Sequence, residues 1–421
     1  MIFDIEIAPG VTLHALQSDK FKTACFSVNF VKPHDRENAA MDALLPSVLL
    51  RATEKYPDIR SISTHLDELY GATFGTLVRR KGEVKLTGFY ADFIEDDFLP
   101  EGEEIFASVV EFMREVLYAP YTENGCFCPR LVEGEKENLI NAIESNLNDK
   151  RGYATKQLLA TMCAEERYGV PRLGNVEDVE KITAETLWQH YKQLLHSAPV
   201  EIFYAGRRSA EEAAECFRKA FAQRKEVVKQ PLETLVIRKA EAVREISEAL
   251  DVTQGKLVMG LRTGITLEDE DYPALLMLNT VLGAGMTCKL FMNVREKLSL
   301  CYYVSSSIEK YKGVMLISSG VDFENYEKAK NAILTELEAC KKGEITEEEL
   351  ESARLQILSS LRSFLDSPAQ MDDFYCGMAI AGGMDIPEIM DAVEKLTAED
   401  VAAAAQKLSM DTIYFLKGEE A

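Results

Sequence analysis

The sequence predicts an α+β protein of two duplicated domains, each a mainly antiparallel sheet with helices packed on one face. Three observations carry that expectation. Residues 179–187 read VEKITAETL and residues 393–401 read VEKLTAEDV, an offset of 214 residues in a chain of 421. Each copy leads into a short apolar strand closed by glycine, VEIFYAG at 200–206 and IYFLKG at 413–418. Each half then shows the same order of strands, helix pair, hairpin, helices and last strand. The domains expected are 1–225 and 241–421, joined by a charged linker at 226–240 that contains Gln230-Pro231.

The two copies of the phrase start helices for the same reason. Ile182 or Leu396 precedes a threonine, Thr183 or Thr397, whose hydroxyl can cap the first turn, and Glu185 or Glu399 follows to meet the helix dipole. Before the first copy, VTLHAL and CFSVNFV alternate as strands within residues 1–31. Residues 38–51 (NAAMDALLPSVLLR) are nearly all apolar and read as a buried helix, with Pro46 expected to kink or break it. Residues 59–70 place Ile62, Leu66 and Leu69 on one side of a second helix, and residues 71–93 form two strands turned at Lys81-Gly82. Helical spacing then runs through 103–118, 131–147, 153–166, the repeat itself and 210–222.

The second half retraces this path. Strands are expected at 246–250 and 256–261, helices at 272–282 and 289–298, and a hairpin at 301–308 and 314–321 about Lys312-Gly313. Helices fill 326–340, 346–364, 369–380 and 387–393 before the second copy of the repeat.

Composition excludes several function classes. With 47% hydrophobic residues the chain can bury two cores without staples, and nine cysteines with no CxxC pair suggest neither a disulfide framework nor a four-thiolate zinc site. Cys126-Phe127-Cys128, the closest pair, reads as part of a loop or helix start. Seventy acids against 47 basic residues give a net charge of −23, which opposes nucleic acid and anionic membrane as partners. The opening MIFDIEIAPG carries acids where a secretory signal needs Lys or Arg, and no later stretch reaches membrane-spanning length, so the expected location is cytoplasmic.

Two stretches carry a family resemblance: GVPRLGNVEDVEKITAETLWQHYKQLL at 169–195 and KLFMNVREKLSLCYYVSSS at 289–307. With the order of elements, they make the chain resemble the pitrilysin/insulinase family of zinc peptidases, which includes the mitochondrial processing peptidases. That family's catalytic signature is His-x-x-Glu-His plus a distal Glu. Two His at i and i+4 bind Zn²⁺ from one helix face, and the Glu activates the metal-bound water. Placing the family helix on residues 39–53 puts Ala43, Pro46 and Ser47 at those three positions. The distal Glu falls near Ala142, with Glu137 and Glu144 close on either side.

His65-Leu66-Asp67-Glu68-Leu69 fills two of the three fixed positions but ends in Leu on an apolar stripe. It reads as an ordinary histidine of an amphipathic helix. His14, His34, His190 and His196 are too dispersed to form a motif. Gly283-Ala284-Gly285 follows a helix rather than a strand and lacks a following GK[ST], so it reads as a connection rather than a phosphate loop.

In two-part members of the family, the silent half lends an Arg and a Tyr, seven residues apart, to the partner's zinc site. Arg295 and Tyr302 match that spacing, with Tyr303 as the alternative if the register slips by one. An Arg offers a forked donor to a substrate carbonyl or carboxylate, and a Tyr hydroxyl can stabilise an oxyanion.

The resemblance therefore implies a chain with no cofactor and no activity of its own. It would complete the substrate chamber of a homologous, zinc-bearing peptidase subunit that acts on peptides. A scaffold of the same fold with no role in proteolysis, and a homodimeric hydrolase with an unrecognised site, are the alternatives.

Overall fold

The computed structural model describes residues 2–146, 148–225, 227 and 231–419; parts of the expected linker (226 and 228–230) and Leu147 of the expected helix 131–147 lie outside the described residues. Contacts group the chain into two compact units. Unit 1 is 1–144, 170–233 and 367–380, and unit 2 is 145–169, 234–366 and 381–421. This grouping differs from contiguous domains of 1–225 and 241–421 chiefly by two helical segments, each of which belongs with the sheet of the other stretch of sequence.

The sheet of unit 1 contains β1 (Ile2–Ala8), β2 (Val11–Gln17), β3 (Thr23–Pro33), β4 (Thr73–Lys81) and β5 (Val84–Ile94). Two-residue strands β6 (Thr122–Glu123) and β7 (Cys126–Phe127) pair apart from it, and β8 (Val200–Gly206) completes it. The six strands run in the order β1-β2-β8-β3-β5-β4, with β2 and β8 parallel and every other pair antiparallel. Leu13, Ile202, Tyr204, Phe26, Val28, Phe89 and Ala91 alternate onto one face. There they join the apolar sides of helices Ala39–Leu49, Ile105–Tyr118 and Ala210–Phe221 in a single core.

The other face of that sheet carries His14, Ser27, Asn29, Arg79, Glu201 and Phe203, and there it receives helix Pro368–Ala381. Ser27 donates to Asp372, Arg79 pairs with Asp372 at 2.5 Å, and Lys81 pairs with Asp373 at 2.7 Å. Tyr375 stacks over Phe203 with ring centroids 6.2 Å apart. Charged anchors rather than apolar area alone thus fix this helix, which explains why its own apolar pattern did not reveal where it packs.

Unit 2 repeats the plan. Its strands β9 (Arg244–Leu250), β10 (Gly255–Arg262), β11 (Tyr303–Glu309), β12 (Val314–Val321) and β13 (Ser409–Gly418) run in the order β11-β12-β10-β13-β9. β9 and β13 are parallel, as β2 and β8 are. Read from β4 inward, unit 1 has the same order, hairpin for hairpin, and adds β1 outside. The repeat helices, Ala184–Ser197 and Ala398–Lys407, each open on a capping box at Thr183 or Thr397 and lead directly into β8 or β13. They hold equivalent places in the duplication.

Helix Lys150–Met162 covers one face of the unit 2 sheet. Ala154, Leu158 and Met162 pack there with Val258, Leu316 and Tyr414. A Cβ on Gly260 would stand 2.6 Å from Met162 Sδ and 2.8 Å from a Leu158 methyl, so glycine is what lets the helix come this close. At the end of this segment Glu166 accepts two hydrogen bonds from buried Arg262 (2.7 and 3.2 Å) and pairs with buried Lys312 (2.5 Å). Asp411 neutralises Arg262 from the opposite side at 2.8 Å. On the other face Phe415 stacks on Tyr326, 4.1 Å between centroids, at the start of helix Tyr326–Lys341.

Of the kink or break expected at Pro46, the break does not occur: the helix is continuous over Ala39–Leu49. One expectation for local structure is corrected. Parts of the expected helices 272–282 and 289–298 are π-helical, at Thr280–Ala284 and Leu290–Lys297. Among the described residues, no helix is long and apolar enough to cross a membrane.

Candidate functional site

The helix Ala39–Leu49 carries Ala43, Pro46 and Ser47, the positions that the resemblance assigns to the zinc motif. Proline at position 46 has no N–H, so the carbonyl of Asp42 one turn earlier loses its helical partner. The Thr87 hydroxyl of β5 donates to that carbonyl at 2.7 Å, which is why the helix continues through the proline. Ala43 and Pro46 are buried and Ser47 is half-buried, on consecutive turns of this helix. Gly174, at φ +76°, lies against the helix start: a Cβ there would come within 2.8 Å of that of Ala40. This close approach is what the glycine of the GVPRLG stretch provides.

Beside Ala43 sits a charge that the sequence reading passed over. Asp42 is fully buried; His190 meets its carboxylate at 2.8 Å, and the Lys32 ammonium lies 3.3 Å away. Burial works to raise the Asp42 pKa, but the His190 hydrogen bond and the nearby Lys32, His190 and Lys85 charges prevail and hold it below its ordinary value. Lys85 is itself buried, and desolvation brings its pKa down to about 8. A signal was available: a lone Asp inside an apolar helical run must find a partner. The partner lies 148 residues away and could not be named from spacing.

Ala142 is exposed on helix Pro129–Ser145, and Glu137 and Glu144 are exposed as well. Two turns earlier the same helix points Glu135 inward, where it accepts a hydrogen bond from Arg51 at the exit of helix 39–49. The structure thus links these two helices through Glu135.

The residues that the resemblance assigns to the metal positions do not fit zinc. Ala43, Pro46, Ser47 and Ala142 offer no imidazole and no carboxylate, and no group of three or more His, Cys, Asp or Glu is arranged to hold a metal among the described residues. The histidines are committed elsewhere. His65 stacks on Tyr56 (4.6 Å) against Phe112, and His34 meets the Val170 carbonyl at 3.1 Å. His14 lies between Asp4 and Glu201, and His196 bonds the Lys192 carbonyl.

Arg295 and Tyr302 belong to unit 2. Arg295 lies on the π-helical segment Leu290–Lys297, its guanidinium 4.7 Å from the Phe291 ring centroid and 3.7 Å from Glu296. Its side chain is 40% exposed, so that ion pair is a surface one. Ser299, at φ +51°, turns the chain out of the helix. The Tyr302 N–H then donates to Gly320 of β12 at 2.8 Å, which sets the register. Tyr302 is 58% exposed, and its hydroxyl donates to Asp322 at 3.0 Å. That bond and the Asp322 charge raise the tyrosine pKa, so the hydroxyl keeps its proton at neutral pH. Tyr303 faces the other side, under the Arg151 guanidinium at 4.4 Å. Different neighbours hold Arg295 and Tyr302, and both side chains reach solvent.

Known proteins resemble this chain in sequence and fold. A family model described as the peptidase M16 inactive domain matches residues 181–357. A Bacillus subtilis protein named probable inactive metalloprotease YmfF is 30% identical over 413 residues, 98% of this chain and 96% of that one. A Streptomyces coelicolor protein named as an uncharacterized zinc protease is 25% identical over 306 residues, 69% of this chain and 66% of that one. The crystal structure of a conserved protein from Enterococcus faecalis V583 superposes with a TM-score of 0.93 at 28% identity, covering 100% of this chain and 99% of that one. A full-length match to a protein named a probable inactive metalloprotease and a match to the M16 inactive-domain model have one reading: the chain belongs to the M16 peptidase family, as an inactive member.

Proposed function

We propose that this chain is the non-catalytic subunit of a heterodimeric zinc peptidase, completing the peptide-binding chamber of a homologous partner that carries His-x-x-Glu-His and the metal. The observation that carries the proposal is the contrast between the two candidate regions. The side chains of Ala43, Pro46 and Ser47 offer no imidazole or carboxylate, and the neighbouring Asp42 is engaged within the fold, its carbonyl by Thr87 and its carboxylate by His190 and Lys32. Arg295 and Tyr302 instead keep a guanidinium and a protonated hydroxyl at the surface. A donor pair of that kind suits a substrate carbonyl and a developing oxyanion at a zinc supplied by another chain.

The Tyr302 hydroxyl bond to Asp322 favours a second reading, in which the tyrosine only braces the β11–β12 hairpin and the chain is a scaffold. Reconstitution with a zinc-bearing homologous subunit separates the two. Under the first reading, Arg295→Ala and Tyr302→Phe each lower peptide turnover, by on the order of 10²-fold for loss of one oxyanion donor, while the dimer still forms. Unchanged turnover in both variants, with the dimer intact, leaves the scaffold.

A further inference from the structure

The two sheets differ by one strand, and that strand is fastened by a histidine. In unit 2 the sheet ends at β9, the counterpart of β2, so five strands in this order make a complete sheet. In unit 1, β1 is added outside β2 and is the outermost strand. Ile7 is buried and Ile5 half-buried in the core, while Phe3, Asp4 and Glu6 are exposed.

On the opposite face from that core, Asp4 of β1 lies directly across the ladder from His14 of β2. His14 Nδ1 is 2.8 Å from Asp4 Oδ1, and its Nε2 is 2.9 Å from Glu201 Oε2 of β8. One imidazole therefore spans three strands. Glu201 is held in turn through its carbonyl, which accepts from Asn29 of β3 at 3.3 Å.

A neutral imidazole has one N–H and one lone pair. It can satisfy one of these carboxylates and must turn its lone pair on the other. Both contacts are hydrogen bonds only when both ring nitrogens carry protons. We propose that His14 is a pH-sensitive latch: as a doubly protonated ring it ties β1 to β8, and on losing one proton it loosens β1 at the edge of β2.

The charged groups that act on His14 are Glu201 and Asp4; Glu6, on the same face of β1, lies one step further along, across from Thr12. Burial opposes the charge on His14, but the two carboxylates together prevail and raise its pKa above the ordinary histidine value. A group raised on folding contributes its full stabilisation below the ordinary value and loses it as pH climbs through the raised one. The latch is closed below the ordinary histidine value and opens as pH climbs through the raised one.

Hydrogen exchange of the full chain tests this, with β3 amides as the internal reference against the intrinsic pH dependence. Between about pH 6 and about pH 9, protection of the β1 amides relative to β3 should fall roughly tenfold, the order expected for one charge-assisted hydrogen bond. Glu201→Gln, which keeps the shape and removes the charge, should abolish that pH dependence. Constant relative protection of β1 in the unmodified chain, or the same fall in Glu201→Gln, overturns the latch. So does a His14 ring resonance that titrates at or below the ordinary histidine value, a measurement that needs no variant.

Discussion

Removing the Thr87 hydroxyl should destabilise unit 1 only while proline occupies position 46. Thr87→Val keeps the shape of the side chain and deletes the donor that lies 2.7 Å from the Asp42 carbonyl. Thr87 is 1% exposed and Asp42 is fully buried, so water cannot replace the lost donor. A buried acceptor left unsatisfied costs about 1–3 kcal/mol. In a Pro46→Ala background the alanine N–H restores the helical bond to the same carbonyl, and Thr87→Val should then cost only a few tenths of a kcal/mol. The double-mutant cycle should therefore show a coupling of about 1 kcal/mol or more, from which effects of Pro46→Ala on the unfolded chain cancel. Urea unfolding followed by the fluorescence of Trp188, the single tryptophan, reads this unit, since its ring packs at 5.0 Å from both Phe127 and Tyr191. Equal costs of Thr87→Val in the two backgrounds would refute the account of why the helix survives its proline.

Three further outcomes are expected. Glu166→Gln leaves Arg262 and Lys312 buried with reduced compensation and should lower stability by roughly 3–5 kcal/mol, the cost of breaking a buried pair, in thermal or denaturant unfolding. The Arg262 and Lys312 partners hold the Glu166 carboxyl below its ordinary range despite burial, so its contribution is complete above that range and is lost as pH falls through the depressed value. An acid titration of stability that is identical in Glu166→Gln and the unmodified chain would contradict this. Gly260→Ala should push helix 150–162 from its sheet and cost about 1–3 kcal/mol in unfolding experiments, with flexible Met162 and Leu158 ends keeping it at the lower end. Tag-free protein should contain no stoichiometric zinc by metal analysis, because positions 43, 46, 47 and 142 supply no ligand.

The sequence made some of this legible because the signals are local. Threonine caps at 183 and 397, glycine turns in the hairpins and alternating strands each act over a few residues, and they recur at half the chain length. The exchange of helices 150–162 and 368–381 was not legible, since an apolar stripe says that a face is buried and not against which sheet. The i→i+5 bonding at 280–284 and 290–297 carries no residue signature that distinguishes it from an α-helix.

At the candidate site, the sequence shows that the helix at 39–49 carries no His-x-x-Glu-His. The groups that stabilise that helix could not be read there. Thr87, His190 and Lys32 converge on Asp42 from strands and a helix far apart in sequence, and only the lone charge in an apolar run hinted at them. Tyr302 and Tyr303 differ by one residue, and the Tyr302 N–H bond to Gly320 decides which of them faces solvent.

The most direct test of the central claim is the peptide turnover of a zinc-bearing homologous subunit measured as this chain is titrated in. The account predicts little turnover by either chain alone, a rise that saturates as the complex forms, and a saturating rate lowered on the order of 10²-fold with Arg295→Ala. A partner that turns over peptide equally well without this chain would contradict it.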